Sequence, residues 1–175
     1  MTVIRSWPGG YGIKVPSTIK YHKDGQKSWG FEAASDDPAT IQWFKLLLVE
    51  EQHLPENIKS CDYLKRARSA LRDVGKTAQE VVKDYLALLW ERTLDTLRSN
   101  YPSTVLNAFP FRVVLTVPAT WAEYAADRLH RAAVEAGIMD SRPCGATTLD
   151  IVAEPEAAAF ATMVDYQAHQ IQVID

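Results

Sequence analysis

The chain has 175 residues, of which 47% are hydrophobic and 23% charged, enough apolar surface to build a core and too much for a disordered acidic or basic tail. Lys and Arg number 19 against 22 Asp and Glu, a net charge of −3, so nothing pulls the whole chain towards nucleic acid or an anionic membrane. No apolar run is long enough to span a bilayer, Met1–Pro8 has no signal-peptide core, and Cys61 and Cys144 are not spaced as a metal or redox pair, which together predict a reducing, cytoplasmic setting without a disulfide framework.

Trp7-Pro8-Gly9-Gly10 reads as a loop. Val15–Tyr21 and Ser28–Ala33 read as strands around an Asp24-Gly25 turn, a β-hairpin signal. After Asp37-Pro38, Ile41, Phe44, Leu47 and Leu48 recur at helical spacing until Pro55. Glu56–Gly75 is charged and reads as a loop or frayed helical connection. Thr77-Ala-Gln-Glu80 has capping-box form. The helix it opens carries one apolar face from Val81 through Tyr85, Leu89 and Leu94 to Tyr101. Lys83, Asp84, Glu91 and Arg92 cover the other face, and Pro102 ends the helix.

The last third changes character. Arg112–Val117 is a β-branched, apolar run. Thr120-Trp-Ala-Glu123 is a second capping-box pattern, opening a helix to about Ala136 with Gly137 as its stop. Leu149–Ala153 is another strand, Glu154-Pro155 starts another helix, and Ile171–Ile174 reads as a final strand. This alternation predicts an α/β fold with parallel pairing and a helical insertion in the middle.

Several chemistries lack their motifs. Gly75-Lys76-Thr77 shares the end of a phosphate-binding loop, but Ala70 stands where that loop needs its first glycine and no strand precedes it. The turn after Val117 has no Gly-x-Gly. His22, His53, His130 and His169 have no metal spacing, and no Gly-x-Ser-x-Gly elbow exists. The five tryptophans read as packing residues. What remains is the carboxyl edge of the parallel strands, where ligands gather in α/β sheets. There Thr116, Glu154 and Asp175 end successive predicted strands. Two carboxylates so placed suit a magnesium ion held through water. An acidic residue at a helix N-terminus is the plainer reading of Glu154.

Val113-Val-Leu-Thr-Val-Pro-Ala119, then a helix closing at Ala136-Gly137, then Leu149-Asp-Ile-Val-Ala-Glu-Pro-Glu-Ala-Ala-Ala159, resembles the nucleotide-binding domain of the DnaK-type heat-shock chaperones. The likeness is greatest to the divergent heat-shock-like branch abundant in fungi. Trp7–Gly10, Lys14-Val-Pro-Ser17 and Trp29-Gly-Phe-Glu-Ala33 fit that branch, while Glu50–Thr77 fits weakly. The resemblance implies an actin-like ATPase (ribonuclease H-like) fold, of which this chain would be part of lobe I. Residues 1–35 would be its hairpin part, 36–110 a mostly helical outer subdomain, and 111–175 an inner β-α-β-α-β subdomain.

The resemblance also implies roles. Lys45, within Asp37–Lys45, falls at the catalytic lysine that approaches the γ-phosphate. Glu154 falls at the glutamate that orders water around magnesium. Thr116 and Pro118 fall on the nucleotide side of the strand end, Pro118 at the proline that relays nucleotide state. Asp175 falls at the aspartate opening the second phosphate loop, a catalytic and magnesium-side position. The cofactor would be ATP or ADP with magnesium, and the partners client or co-chaperone proteins. Neither glycine-rich phosphate loop occurs within the 175 residues, so the expectation is weak or no nucleotide binding and no turnover by this chain alone. An exposed sheet edge would invite self-association. The alternative is a non-enzymatic interaction module derived from such a lobe, using the Thr77–Tyr101 helix or the sheet edge.

Overall fold

The computed structural model describes residues 3–171. Two short antiparallel hairpins open it. β1 (Ser6–Trp7) pairs with β2 (Gly10–Tyr11), and β3 (Ile19–Tyr21) pairs with β4 (Lys27–Trp29). The segment read as a loop at Trp7–Gly10 is therefore the turn of the first hairpin. A Cβ on Gly10 would stand 2.5 Å from the Phe31 ring, so glycine is required there. The second hairpin is shorter than expected, because the chain leaves β4 into a 3₁₀ turn at Gly30–Glu32.

The helix expected after Pro38 does not form. Ile41 is extended and exchanges two backbone hydrogen bonds with Ile19 (3.1 and 2.8 Å), continuing the hairpin's edge. Trp43 takes a left-handed backbone, φ 60°, and only 3₁₀ turns follow at Phe44–Leu48 and Glu51–His53. The helical spacing at Ile41, Phe44 and Leu48 instead reports three residues buried from an irregular segment.

After a single turn, α1 (Glu56–Lys59), the charged stretch contains a 13-residue helix, α2 (Asp62–Val74). Leu64, Ala67, Ala70 and Leu71 make its buried stripe. The helix ends in a Schellman motif, with Gly75 at φ 65° and the Lys76 N–H donating to the Leu71 carbonyl at 3.1 Å. Gly75-Lys76-Thr77 is thus a helix stop and a helix start.

α3 (Ala78–Asn100) begins with the expected capping box. Thr77 Oγ1 accepts from the Glu80 N–H, and the Glu80 carboxylate accepts from the Thr77 N–H at 2.8 Å. Its first turns are buried at Val81, Val82, Tyr85 and Leu86, whereas Tyr101, beyond its last turn, is exposed. Asp84, on the polar face by sequence pattern, is buried.

Beyond a short α4 (Ser103–Leu106) comes the expected β-α-β unit. β5 (Arg112–Val117) runs to α5 (Glu123–Glu135), and β8 (Thr148–Ala153) returns parallel to β5, in register from Arg112↔Thr148 to Val117↔Ala153. A small hairpin intervenes, β6 (Ser141–Arg142) with β7 (Gly145–Ala146). The second capping box is not made. The Trp121 N–H donates to the Pro118 carbonyl at 3.1 Å, and this turn delays the helix to Glu123, with Ala122 as its cap. α6 (Glu154–Ile171) starts where Glu154-Pro155 predicts. The strand expected at Ile171–Ile174 begins on the last residue of α6, and the rest of it, with Asp175, lies outside the described residues.

One apolar cluster draws on all three segments of the chain. Ile19 and Trp29 of the hairpin meet Val81 and Tyr85 of α3, Val117 of β5, and Leu129 and Ala132 of α5. The protein is thus a mixed α/β fold of small sheets around α3. Among the described residues, no helix is long and apolar enough to cross a membrane.

Candidate functional site

The in-register pairing of β5 and β8 brings Val117 level with Ala153. The residues that follow them, Pro118 and Glu154, therefore leave the sheet at one height. Glu154 is also the first residue of an 18-residue helix, where the helix dipole favours its carboxylate. Lys45 arrives from the other side. Phe44 and Leu48, exposed by only 3% and 1%, pin the 3₁₀ turn to the core and leave the Lys45 side chain facing the strand ends.

The Lys45 ammonium donates to Glu154 Oε1 at 3.1 Å and to the Thr116 carbonyl at 3.2 Å, across 109 and 71 residues of sequence. It lies 5.4 Å from the centre of the Trp121 ring. Lys45, Pro118, Trp121 and Glu154 line a cleft of about 450 Å³, together with Ser17 and Trp43. The resemblance named Lys45, Thr116, Pro118 and Glu154, and these four come together. Thr116 contributes its carbonyl. Asp175 lies outside the described residues.

Trp121 lines the cleft, although the sequence pattern marks every tryptophan as a packing residue. Its signal was position, three residues beyond Pro118 at the carboxyl edge of a strand. The packing reading holds for Trp29, which is buried, and not for Trp43, which is half exposed.

The side chains of Lys45 and Glu154 remain 40% and 49% exposed. A pair so open adds at most about 1 kcal/mol to stability, and its charges stay available to a ligand. A backbone-anchored ammonium and a carboxylate, side by side at strand ends, can neutralise an anionic group and orient a water. For magnesium, Glu154 is one carboxylate, and a hydrated ion needs further anionic partners. No group of three or more His, Cys, Asp and Glu gathers among the described residues. The site fits magnesium only as a companion to phosphate oxygens, with Glu154 as the protein's outer contact.

A second lysine–carboxylate cluster joins α3 to the β3–β4 hairpin. The Asp84 side chain is 6% exposed and meets Lys76 at 3.0 Å, Lys27 at 3.1 Å and Lys83 at 3.6 Å. The Tyr21 hydroxyl donates to it at 2.9 Å. Burial pushes the Asp84 carboxyl upward in pKa, but hydrogen bonds from Lys76, Lys27 and Tyr21 outweigh it and hold the group below its ordinary range. Tyr21 is pushed well above the usual tyrosine value, first by burial, then by its hydrogen bond to Asp84 and by that carboxylate's charge. This cluster is closed and its carboxylate satisfied. The histidines read as satisfied side chains include His53, whose Nδ1 lies 2.8 Å from the Tyr124 hydroxyl, and His22, 2.7 Å from the Ser28 hydroxyl.

The chain matches no protein-family model and no curated protein.

Proposed function

We propose that this chain is part of a heat-shock chaperone-type, actin-like nucleotide-binding domain. On this reading the Lys45–Glu154 cleft is one half of a site for the phosphates of ATP or ADP with magnesium. The observation that carries it is the meeting of the Lys45 ammonium with Glu154 and the Thr116 carbonyl beside Pro118. These are the residues to which the motif likeness assigns the phosphate and magnesium roles. Lys45 would stabilise negative charge on a phosphoryl group. Glu154 would hold ordered water towards the metal, and Pro118 would report occupancy to the β5–α5 turn. Backbone N–H donors that wrap phosphate belong to the glycine-rich loops, which the 175 residues do not contain. Few donors therefore offset phosphate desolvation, and the reading gives weak binding and no turnover.

Calorimetric titration with ATP, with and without magnesium, tests this. The expected result is weak, magnesium-dependent binding lost in Lys45→Ala, with no hydrolysis above background. Hydrolysis that disappears in Lys45→Ala would overturn the inactive half-site. Binding unaffected by Lys45→Ala would remove the nucleotide reading.

The alternative, a protein-interaction module for a client, a co-chaperone or a second copy, draws on a different observation. Phe160, Met163 and Val164 on α6 are 61–64% exposed, an apolar face of the kind that marks contact surfaces. Sedimentation velocity across a concentration series tests the second-copy form: a monomer throughout removes self-association.

A further inference from the structure

Among the described residues, β5 pairs on one side alone, with β8. The register Val113↔Leu149 and the Thr148 N–H bond to the Phe111 carbonyl at 2.9 Å fix which groups face β8. In a parallel ladder alternate residues of a strand bond the same neighbour, so Phe111, Val113 and Leu115 turn their backbone groups to β8. The N–H and C=O groups of Arg112, Val114 and Thr116 turn to the opposite edge. Lys45 takes the Thr116 carbonyl, and the others have no partner among the described residues. Along that edge runs an apolar groove of about 340 Å³. Val113 and Leu115 of β5 and Leu89 and Leu97 of α3 line it, and no residue of β8 does, so it continues the core face of the sheet past β5. The edge-to-face pair of Trp90 and Phe111, ring centres 5.9 Å apart, stands in its wall at the start of β5. Charged side chains commonly guard such edges. Here Arg112 is the one charged residue of the lining, and its guanidinium is tied to Asp150 of β8 at 2.6 Å.

We infer that the β5 edge and this groove together bind an extended segment of another protein, apolar at alternate positions and polar between them. Backbone groups that recur at every second residue of an edge are met by a strand, not by a helix, whose own N–H and C=O groups are spent internally. A strand so paired sends alternate side chains into the groove. The side chains between them join the outer face of the sheet. That face carries the solvated Arg112–Asp150 pair and Val114, which is 49% exposed, so the intervening residues are polar. A second copy of this chain is the poorer fit. Its β5 could pair the backbone, but its Val113 and Leu115 already pack against their own core and are not free to fill the groove.

The site is independent of the nucleotide reading, and the full chain tests it. The probe is a short dye-labelled peptide of alternating valine and threonine with lysine at both ends, followed by fluorescence anisotropy. Saturable binding near about 100 μM is expected. Val114→Pro removes an edge donor without touching a bond to β8 and weakens binding about tenfold. Leu97→Lys, at a residue outside both buried clusters, weakens it about fivefold. Two further arms use the wild-type chain and stand whether or not Val114→Pro folds. A peptide of the same composition with its valines contiguous loses binding. Of two peptides N-methylated at the valines or at the threonines, the one whose methyl groups face β5 loses binding and the other keeps it. No binding up to about 1 mM, equal binding of the contiguous and alternating peptides, or equal binding of both methylated peptides overturns the site. So does a chain that sediments as a dimer and becomes a monomer in Val114→Pro, which would assign the edge to a second copy.

Discussion

Two lysine–carboxylate clusters are built from the same chemistry and put to opposite use. At Asp84, three lysines and a tyrosine hydroxyl surround one buried carboxylate. At Glu154, one lysine meets one carboxylate at the mouth of a cleft, with nearly half of each side chain in water. A satisfied, desolvated charge is part of the architecture, because removing a partner strands the rest. A solvated pair contributes little to folding and keeps its charges for something that arrives. Burial, more than residue type, distinguishes the structural cluster from the candidate site.

The largest effect should come from Asp84→Ala. It leaves Lys27, Lys76 and Lys83 facing one another and strands the Tyr21 hydroxyl. The expected loss is about 2–4 kcal/mol in urea denaturation, towards the low side of buried-pair values because the lysines are partly solvated. If Glu154→Ala cost as much, the contrast between the clusters would fail.

The next effect is on pH dependence, and its sign follows from linkage. The folded-state pKa of Asp84 is depressed, so its stabilisation is present above the ordinary Asp value of about 4 and is lost as pH falls through the folded value. Stability curves between about pH 4 and pH 2 should be flatter in Asp84→Asn than in wild type. Tyr21 gives the opposite limb. Its pKa is raised, so its contribution is present below the ordinary tyrosine value of about 10 and is lost as pH rises beyond it. Tyr21→Phe should therefore flatten the alkaline limb, though Tyr85, buried and also raised in pKa, will keep part of the slope. An unchanged acid limb in Asp84→Asn would show that other carboxylates govern acid unfolding.

Smallest of all should be the cost of opening the candidate site. Glu154→Gln and Lys45→Ala are expected to change stability by less than about 1 kcal/mol. Added salt should shrink the Glu154→Gln effect further while leaving Asp84→Ala nearly untouched. A Lys45→Ala loss above that range would mean that the Thr116 carbonyl depends on the ammonium, and the cleft would then count as architecture.

The two clusters were unequally legible in the sequence. Glu154 and Pro118 follow from local signals, a strand end, a helix start and a proline, and the motif likeness supplied Lys45. Asp84 read as one more charge on the polar face of α3. It is buried because the β3–β4 hairpin and the Lys76 turn close over it, and neither approach leaves a mark near residue 84. Likewise α2 was hidden by its charges, although Leu64, Ala67 and Leu71 keep helical spacing. The segment 38–54 showed the converse, since helical spacing there came from residues that each reach the core from an irregular backbone.

Local rules settled what depends on neighbours in the chain. These are the Thr77 capping box, the stop at Gly75, the β-branched run of β5, the start of α6 at Glu154, and the parallel pairing that a strand–helix–strand order imposes. Tertiary structure alone decided what depends on distant partners. It placed Ile41 against Ile19 where a helix was expected, delayed α5 by a turn at Pro118, buried Asp84 and left Glu154 in water. The reason is range. A hydrogen bond within a turn is fixed by a few residues, whereas the solvation of a charge is fixed by whatever the rest of the chain brings within a few ångströms of it.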